Sequence, residues 1–337
     1  MSDETFRPTL EKRITIKDVA KRAGVALSTT SYVLNGKNRS ISLPTQQRIQ
    51  EAARDLGYRP NLAARSLVTR QTHILALWIS DVASPFSAFV ISHLQGVVRR
   101  HGYDVIIKEI VLYPGAGSER ADQSQWRADG VVAYLGPECR HLDLTALFPS
   151  GTPLVSIGAL SVPGTDFIEL DLFPGTQAAV RHLAQAHCQR IAYLVPEGRM
   201  FPGDYRFEAY TAAVREAGQK PEYISVAENS RAAGRSGIQA YGAVHGLPDG
   251  IFCYNDGLAI GAYRGLRDTG VRIHEDVRLI GCDGIEDMEY LDCPLSTIVS
   301  PLDEMCDTAW QFLERRMREP TTPLQHRKLY PELEVRN

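Results

Sequence analysis

No stretch of this 337-residue chain is apolar for long enough to cross a bilayer, and no N-terminal apolar run reads as a leader. A cytoplasmic protein is therefore expected. Cysteine is scarce and unpaired in pattern: Cys139, Cys188, Cys253, Cys282, Cys293 and Cys306 form no CxxC, and several sit in strand-like runs. Reduced, buried thiols are expected rather than disulfides or a metal centre. The nine histidines show no HExxH or similar spacing, so no metal ligand set is expected. The chain also lacks a GxSxG elbow, a GxxxxGK[ST] phosphate loop and a GxGxxG turn between strand and helix; the GAG at 115–117 is a loop fragment without that context. No nucleophile, base and oxyanion constellation emerges, which argues against an enzyme and leaves no cofactor to expect.

Charge of one sign is missing only on average. The formal net charge of −3 conceals thirteen Lys/Arg against six Asp/Glu in residues 1–70, while the other 24 basic and 34 acidic residues leave 71–337 at −10. A cationic head gains affinity for phosphate by counterion release, and an acidic body stays away from a duplex.

The head's own pattern agrees. In TIKDVAKRAGVALSTTSYVLN (15–35), Ile16, Val19, Ala20 and Ala23 recur at helical spacing, Gly24 suits a left-handed turn, and Val25 plugs that turn. A second helix follows, with Thr29, Val33 and Leu34 placed to pack inward and Leu27, Ser28 and Tyr32 pointing elsewhere. Small hydroxyls, a Leu and a Tyr make an odd solvated face but suit a helix in a DNA major groove. Between Ser42 and Tyr58 lies a third helix, capped by Ser42 or Thr45, with Pro44 in its first turn and Ile49, Ala52, Ala53 and Leu56 as the buried stripe; Gly57 ends it. The run Leu62–Leu67 consists of helix formers with almost no apolar face, too short to stay helical alone.

Beyond residue 70, continuous apolar runs (HILALWIS, YDVIIKEI, GVVAYL, PLVSIG, FIELDL, RIAYLV, GIFCYN, VRLIGCD) alternate with helical stretches such as FSAFVISHLQGVVRRHG, TQAAVRHLAQAHC, YRFEAYTAAVREAG and LAIGAYRGLRDTG. This alternation predicts parallel sheets flanked by helices, with strands buried on both faces. In open sheets of that kind, small ligands sit beyond the carboxyl ends of the strands. Ser80, Asp81, Asp171, Asn255 and Asp283 fall just there, and Arg206 begins a helix nearby.

The run TIKDVAKRAGV…STTSYVLNG…TQQRIQEAARDLGYRPNLAARSL resembles, in order and spacing, the headpiece and hinge of the lactose/galactose repressor family, and the resemblance covers nearly the whole chain. It implies an all-α helix-turn-helix headpiece (13–59), a hinge (60–72) and a two-lobed, type I periplasmic-binding-protein-like α/β effector domain with parallel sheets (73–337). The first lobe would take about 73–171 and 302–329, the second about 172–301 and 330–337. By the same resemblance Leu27 and Ser28 read bases first, and Thr29, Ser31 and Asn35 contact or orient on phosphates. Thr15, Tyr32 and Asn61 join the DNA-binding set, and Ala64 and Leu67 lie on a hinge helix whose Leu wedges the minor groove. Effector contacts are implied at Ser80, Asp81, Phe86, Asp171, Arg206, Asn255 and Asp283. Arg206 with Asp283 would clamp adjacent hydroxyls or a carboxylate.

Several positions depart from that pattern. Tyr32 stands where many members carry an Arg able to fork onto guanine, and Ala26 replaces a common capping Ser. Gly158 stands where some relatives hold a hydroxyl-binding Asp, Asn229 where some place an aromatic ring, and Gly284 where a second Asp is frequent. Trp78, Phe86, Phe201 or Tyr205 would have to supply a stacking ring for a sugar. The expected function is a transcriptional regulator, most readily a repressor, binding a near-palindromic double-stranded operator as a homodimer under control of a small polar effector, a sugar or related metabolite. The tail after Leu313 carries no leucine heptads that would join two dimers. A solute-binding receptor with a vestigial head and an α/β enzyme are the competing readings.

Overall fold

The computed structural model describes residues 14–35, 40–59, 66, 71–110, 128–148 and 151–336. Asn61, Ala64 and Leu67, expected at DNA, lie outside the described residues. The chain divides into two units, Met1–Thr72 and His73–Asn337.

The first unit holds α1 (Ile16–Ala23), α2 (Leu27–Leu34) and α3 (Leu43–Asp55). At the start of α1 the Asp18 carboxylate accepts from the Thr15 backbone N–H (2.8 Å) and hydroxyl (2.7 Å), fixing the entry of the chain. Gly24 ends the helix at φ 65°, where a side chain would be strained. Val19, Ala23, Val33, Ile49, Ala52 and Ala53 are the buried apolar centre, with Val25, Leu34 and Leu56 packed on it. The inward-facing threonine of α2 is Thr30, fully buried, not Thr29, which is half-buried. Thr30 is one residue further round the helix, and its hydroxyl donates to the Ala26 carbonyl (3.1 Å), which lets a polar side chain enter a small core.

Along the second unit run β1 (Ile74–Ile79), α4 (Pro85–Arg100), β2 (Asp104–Glu109), β3 (Gly130–Leu135), a 3-10 turn (Pro137–His141), α5 (Leu144–Leu147), β4 (Leu154–Gly158) and β5 (Asp166–Leu170). Then follow α6 (Phe173–Gln185), β6 (Ile191–Pro196), α7 (Tyr205–Glu216), β7 (Glu222–Val226), α8 (Arg231–His245), β8 (Gly250–Cys253), α9 (Asp256–Asp268) and β9 (Arg278–Asp283). A 3-10 turn (Glu286–Met288), β10 (Ser296–Val299), α10 (Leu302–Arg318), β11 (His326–Leu329) and β12 (Glu332–Glu334) complete it. Two six-stranded sheets result, in the orders β11-β5-β4-β3-β1-β2 and β12-β10-β9-β8-β6-β7. The first is parallel throughout; in the second only β12 is antiparallel, against β10. Central strands such as β6 are buried at every residue, as continuous apolar runs require. The chain passes between the sheets three times, after β5, after β10 and after β11. Gly175 permits two of these passages to approach: a Cβ there would meet the Pro331 carbonyl at 2.5 Å.

The sequence reading names no run for β7, β10, β11, β12, α8 or α10. β11 (HRKL) and β12 (ELE) are edge strands carrying charge, in a segment expected to be a tail. β11 is held by Asp166, whose buried carboxylate accepts from Arg316 Nη2 (2.6 Å) and the Gln325 N–H (2.8 Å). α8 is rich in glycine, which weakens its helical pattern. Its packing on α9 explains the composition: a Cβ on Gly234 would meet the Leu258 carbonyl at 2.6 Å, and one on Gly265 the Arg235 carbonyl at 2.6 Å.

Candidate DNA-reading helix and effector cleft

In α2 the residues expected at DNA divide into two sets. Leu27 (43 % exposed) and Tyr32 (54 % exposed) are large groups held in solvent, with Ser28 exposed beside them. Ser31 and Asn35 are tied to each other: Asn35 Nδ2 donates to the Ser31 carbonyl (2.8 Å) and to its hydroxyl (3.2 Å). That bond fixes the amide orientation one turn from Tyr32. Thr15 is committed to Asp18 through its hydroxyl, leaving it a role in setting α1. α2 begins at Ala26 without a side-chain cap, so the amide groups of its first turn are free of any capping side chain there.

In the second unit, side chains from the carboxyl ends of both sheets meet. On the second sheet, Asp204 caps α7, accepting from the N–H groups of Arg206 (3.0 Å) and Phe207 (3.1 Å). This places Arg206, almost wholly buried, with its guanidinium 3.6 Å from the centre of the Tyr254 ring and Nη1 donating to the Tyr254 carbonyl (3.1 Å). Asn255 caps α9 through Leu258 N–H (2.9 Å), and its Nδ2 donates to Asn229 Oδ1 (2.8 Å). Asp283 ends β9 at φ 134°, an unusual backbone for a non-glycine residue. Next to it Gly284, also at positive φ, lies where a Cβ would come within 2.9 Å of Val299 Cα. Burial and the neighbouring Asp256 push the Asp283 carboxyl well above the usual range, opposed by Arg206.

From the first sheet come Ser80 after β1, Tyr134 at the end of β3, and Glu138 in the turn that follows. Glu138 reaches Arg199 of the second lobe at 2.7 Å, with about a fifth or less of either side chain exposed. Burial raises the Glu138 carboxyl, but Arg199 and the Ser80 hydroxyl outweigh it and hold the group below its ordinary range. Burial pushes the Tyr134 phenol up, and Asp283, Glu138 and Arg206 all act on it. Phe86 of α4 is packed in the first lobe's core with its ring 5.9 Å from that of Tyr134. A second contact joins the lobes where the Tyr205 hydroxyl donates to Glu169, which also pairs with Lys328 (2.8 Å) and His326 (3.0 Å).

Arg206, Asn255 and Asp283 are thus brought to neighbouring strand ends, and Ser80 is linked through Glu138 to Arg199. Asp81 and Asp171 are occupied locally. Asp81 accepts from Ala83 (3.0 Å) and Ser84 (3.1 Å) N–H groups to start α4, and Asp171 accepts from Phe173 N–H (3.0 Å) and Lys328 (3.3 Å). Trp78 points to the other layer, against Phe148 (4.8 Å) and Lys108 (4.3 Å). Phe201 stacks on Arg140 at 4.1 Å. Gly158, in place of an Asp, has a steric reason: at φ 121° a Cβ would meet the Leu135 carbonyl at 2.6 Å.

Five residues around this cleft carry no strong sequence signal: Tyr134, Glu138, Arg199, Tyr254 and Asp256. Tyr134 and Tyr254 read as strand residues, and Glu138 and Arg199 as loop charges. Asp256 is buried, with its carboxylate accepting from the N–H groups of Gly284 (2.8 Å) and Ile285 (2.8 Å) and from the Thr297 hydroxyl (2.6 Å). Burial pushes its pKa up to about 6 against those bonds. It anchors the backbone turn that follows Asp283.

Among the described residues no group of three His, Cys, Asp or Glu is arranged to hold a metal, and no helix is long and apolar enough to cross a membrane. The described cysteines are all free.

Comparison with known proteins finds relatives for both units of the chain. Residues 15–61 match the model described as bacterial regulatory proteins, lacI family, and residues 180–337 match a periplasmic binding protein-like domain. The chain is 30% identical over 328 residues to the ribose operon repressor of Escherichia coli (strain K12), covering 94% of this chain and 97% of that one. It is 27% identical over 326 residues to the HTH-type transcriptional repressor PurR of Histophilus somni (strain 129Pt), covering 96% and 98%. A crystal structure of the lac repressor dimer bound to operator and the anti-inducer ONPF superposes with a TM-score of 0.81 at 21% identity, covering 96% and 98%, and shows the shared fold. The chain belongs to the lacI family of bacterial regulatory proteins.

Proposed function

We propose that this protein is a cytoplasmic, non-enzymatic transcriptional repressor that binds a near-palindromic DNA operator as a homodimer and is switched by a small polar effector in the interlobe cleft. The observation that carries the reading is a short helix holding Leu27, Ser28 and Tyr32 free in solvent at the front of a chain whose second unit gathers buried polar groups between two sheets. Leu27, Ser28 and Tyr32 take the role of base readers, and Thr29, Ser31 and Asn35 that of phosphate partners, with Thr15 positioning α1. One such helix reads only a half-site, which makes the dimer the binding unit. Asn61, Ala64 and Leu67 take the hinge contacts in the same scheme.

Arg206, Asn255 and Asp283 form the second-lobe half of the effector site. Ser80 and Phe86 support the first-lobe half, and Asp81 and Asp171 shape the loops around it. An effector acts by differing in affinity for two lobe arrangements, which in turn set the spacing of the two hinges in the dimer. The name of one relative, a ribose operon repressor, supports a small polar metabolite in that role.

Selection of sites from a random duplex library with the full chain tests the reading. Two-fold symmetric sites are expected; recovery of no enriched sequence, or of asymmetric single half-sites only, would overturn it. Replacement of Arg206 by Ala is expected to remove the response of DNA binding to cell-extract metabolites, and an undiminished response would remove Arg206 from the site.

A further inference from the structure

One segment of the second lobe reaches across to the first at three points. Residues 199–205 lead from β6 into α7, and exposure alternates along them: Arg199 and Phe201 are half-buried, Met200 and Pro202 exposed. In extended chain that spacing puts 199 and 201 on one side, here the side of the first lobe. Arg199 Nη2 donates to Glu138 Oε2 (2.7 Å), and the Arg140 guanidinium lies over the Phe201 ring at 4.1 Å. Glu138 and Arg140 have the same two-residue spacing in the turn Pro137–His141, so the two contacts interlock in register. Farther on, the Tyr205 hydroxyl donates to Glu169 of β5, which Lys328 (2.8 Å) and His326 (3.0 Å) also hold. Burial, and then that bond, push the Tyr205 phenol up to about 12, so it stays a donor.

The second lobe ties this segment down at its ends. Glu197 N–H donates to the Val226 carbonyl (2.8 Å) where β6 finishes, and Asp204 caps α7. Between those anchors the backbone bonds are local turns, Arg199 N–H to the Pro196 carbonyl (3.2 Å) and Asp204 N–H to the Phe201 carbonyl (3.2 Å). The short contacts of its side chains, at 2.7 Å and 4.1 Å, are with the first lobe. That lobe is shaped to receive them: a Cβ on Gly136 would collide with the Glu138 carboxylate, and Arg140 Nη1 donates to the Pro137 carbonyl (3.3 Å) of its own turn. The three contacts also differ in leverage. Glu169 is on β5 and Lys328 on β11, strands that lead directly into passages between the sheets. Glu138 follows β3, two strands farther along the sheet, or about 10 Å at ordinary strand spacing. The contacts therefore run from beside the pivot outwards, and the outermost is displaced most when the lobes part.

We propose that residues 199–205 are an interlobe strap: Arg199, Phe201 and Tyr205 clasp Glu138, Arg140 and Glu169 of the first lobe, and the lobes separate only when all three clasps release together. The clasps differ in chemistry (an ion pair, a cation on a ring and a phenol on a carboxylate), so no single loss frees the strap. The strap is the protein's own restraint on opening and needs no bound molecule to form. Its consequence for regulation rests on the effector-cleft reading above. Asp204 joins the end of the strap to the N–H of Arg206, so the strap and the effector site move as one piece.

Amide hydrogen exchange of the full-length protein tests the strap through contacts remote from each substitution. Tyr205→Phe removes one hydroxyl at the pivot end. It is expected to speed exchange in Pro137–His141, at the other end and on the other lobe, by about tenfold, the worth of one hydrogen bond to a charged group. Arg140→Met, made on the first lobe, should speed exchange of residues 205–207 on the second by about threefold, as loss of a partly exposed cation–π contact implies. Because one opening event breaks all three clasps, the double variant should show the product of the two factors at both ends alike. Amides of β4 and β8, one in each sheet, should keep their wild-type rates. Faster exchange confined to 205–207 in Tyr205→Phe and to Pro137–His141 in Arg140→Met would mean that each contact acts alone, and would overturn the proposal; so would unchanged rates in both variants. Should Tyr205→Phe also expose β4 or β8, the Arg140→Met arm decides. A strap that fails this test leaves the effector reading standing, and an undiminished response in Arg206→Ala removes Arg206 from the effector site while leaving the strap.

Discussion

The two proposed working surfaces of this chain hold their side chains in opposite ways. The α2 helix presents Leu27, Ser28 and Tyr32 outward from a unit with six buried apolar residues at its centre, while the cleft buries Arg206, Asn255 and Asp256 and binds them into backbone turns. A surface that reads a flat, hydrated partner needs groups free of intramolecular obligations; one that encloses a small molecule needs groups fixed before it arrives. Substitutions should therefore separate function from stability in the head and confound them in the cleft.

The sharpest break of that contrast is a core change in the head. Ile49 is fully buried, and Ile49→Ala should cost about 2–5 kcal/mol. A unit this small has little stability to lose. Complete loss of operator retention is expected, with the urea midpoint of the second unit unmoved. An equal loss in both units would mean that they unfold together.

Next in size is Asp256. Removing it as Asp256→Ala strands two backbone N–H groups and the Thr297 hydroxyl, a loss on the order of 3 kcal/mol. Its pKa is raised in the fold to about 6, so its contribution is full below the unfolded value and declines as pH rises through about 6, by roughly 3 kcal/mol. Asp256→Asn mimics the protonated acid: its oxygen can accept from Gly284 and Ile285 and its amide can donate to Thr297. That variant should be at least as stable as wild type at pH 7 and show a flatter stability profile between pH 5 and 7. Glu138 and Glu169 are held below their ordinary range, so they add stability above it that is lost at lower pH, outside this window. A wild-type urea midpoint that does not fall from pH 5 to 7, or one that falls as steeply in Asp256→Asn, would refute this account of Asp256.

Smaller again is the pair that spans the lobes. Glu138→Gln keeps the shape of the side chain and weakens its bond to Arg199, at a cost of about 1–2 kcal/mol. Faster amide exchange is expected in Pro137–His141 and in the loop before α7, with the sheets unaffected. Exchange that stays unchanged in both loops would show that the pair does not hold the lobes.

What could be read from residues alone follows the same division. Periodicity exposes helices and buried strands because their apolar faces must be continuous, so α1, α3, β1 to β6, β8 and β9 are legible by way of their apolar runs. β11 and β12 are not, since edge strands owe their place to partners such as Asp166 and β10 and not to a hydrophobic pattern. In the cleft, Arg206 and Asp283 stand at strand ends where chemistry is expected. Tyr254 and Asp256 lie next to Asn255 yet look like the end of one strand and the start of one helix. Glu138 and Arg199 are 61 residues apart, and only the fold brings them together.

The smallest effect on stability, and the most selective on function, belongs to Tyr32. At 54 % exposure, with its helix anchored by Thr30 and Val33 on the other face, Tyr32→Arg should change stability by no more than about 0.5 kcal/mol. Its effect on reading is different in kind. A phenol offers one hydroxyl and an apolar ring, suited to a thymine methyl or a sugar edge, whereas a guanidinium forks onto guanine O6 and N7. Site selection with the variant should shift one symmetric pair of operator positions towards guanine, with discrimination of about 1–3 kcal/mol at that base pair and the remaining positions unchanged. The neighbouring Ser31–Asn35 bond gives a control, because the proposed scheme has it orient phosphate partners without touching base edges; Asn35→Ala should then weaken binding across all sequences alike. If Tyr32→Arg leaves the consensus unchanged while Asn35→Ala alters it, base reading and backbone anchoring have been assigned to the wrong residues of α2.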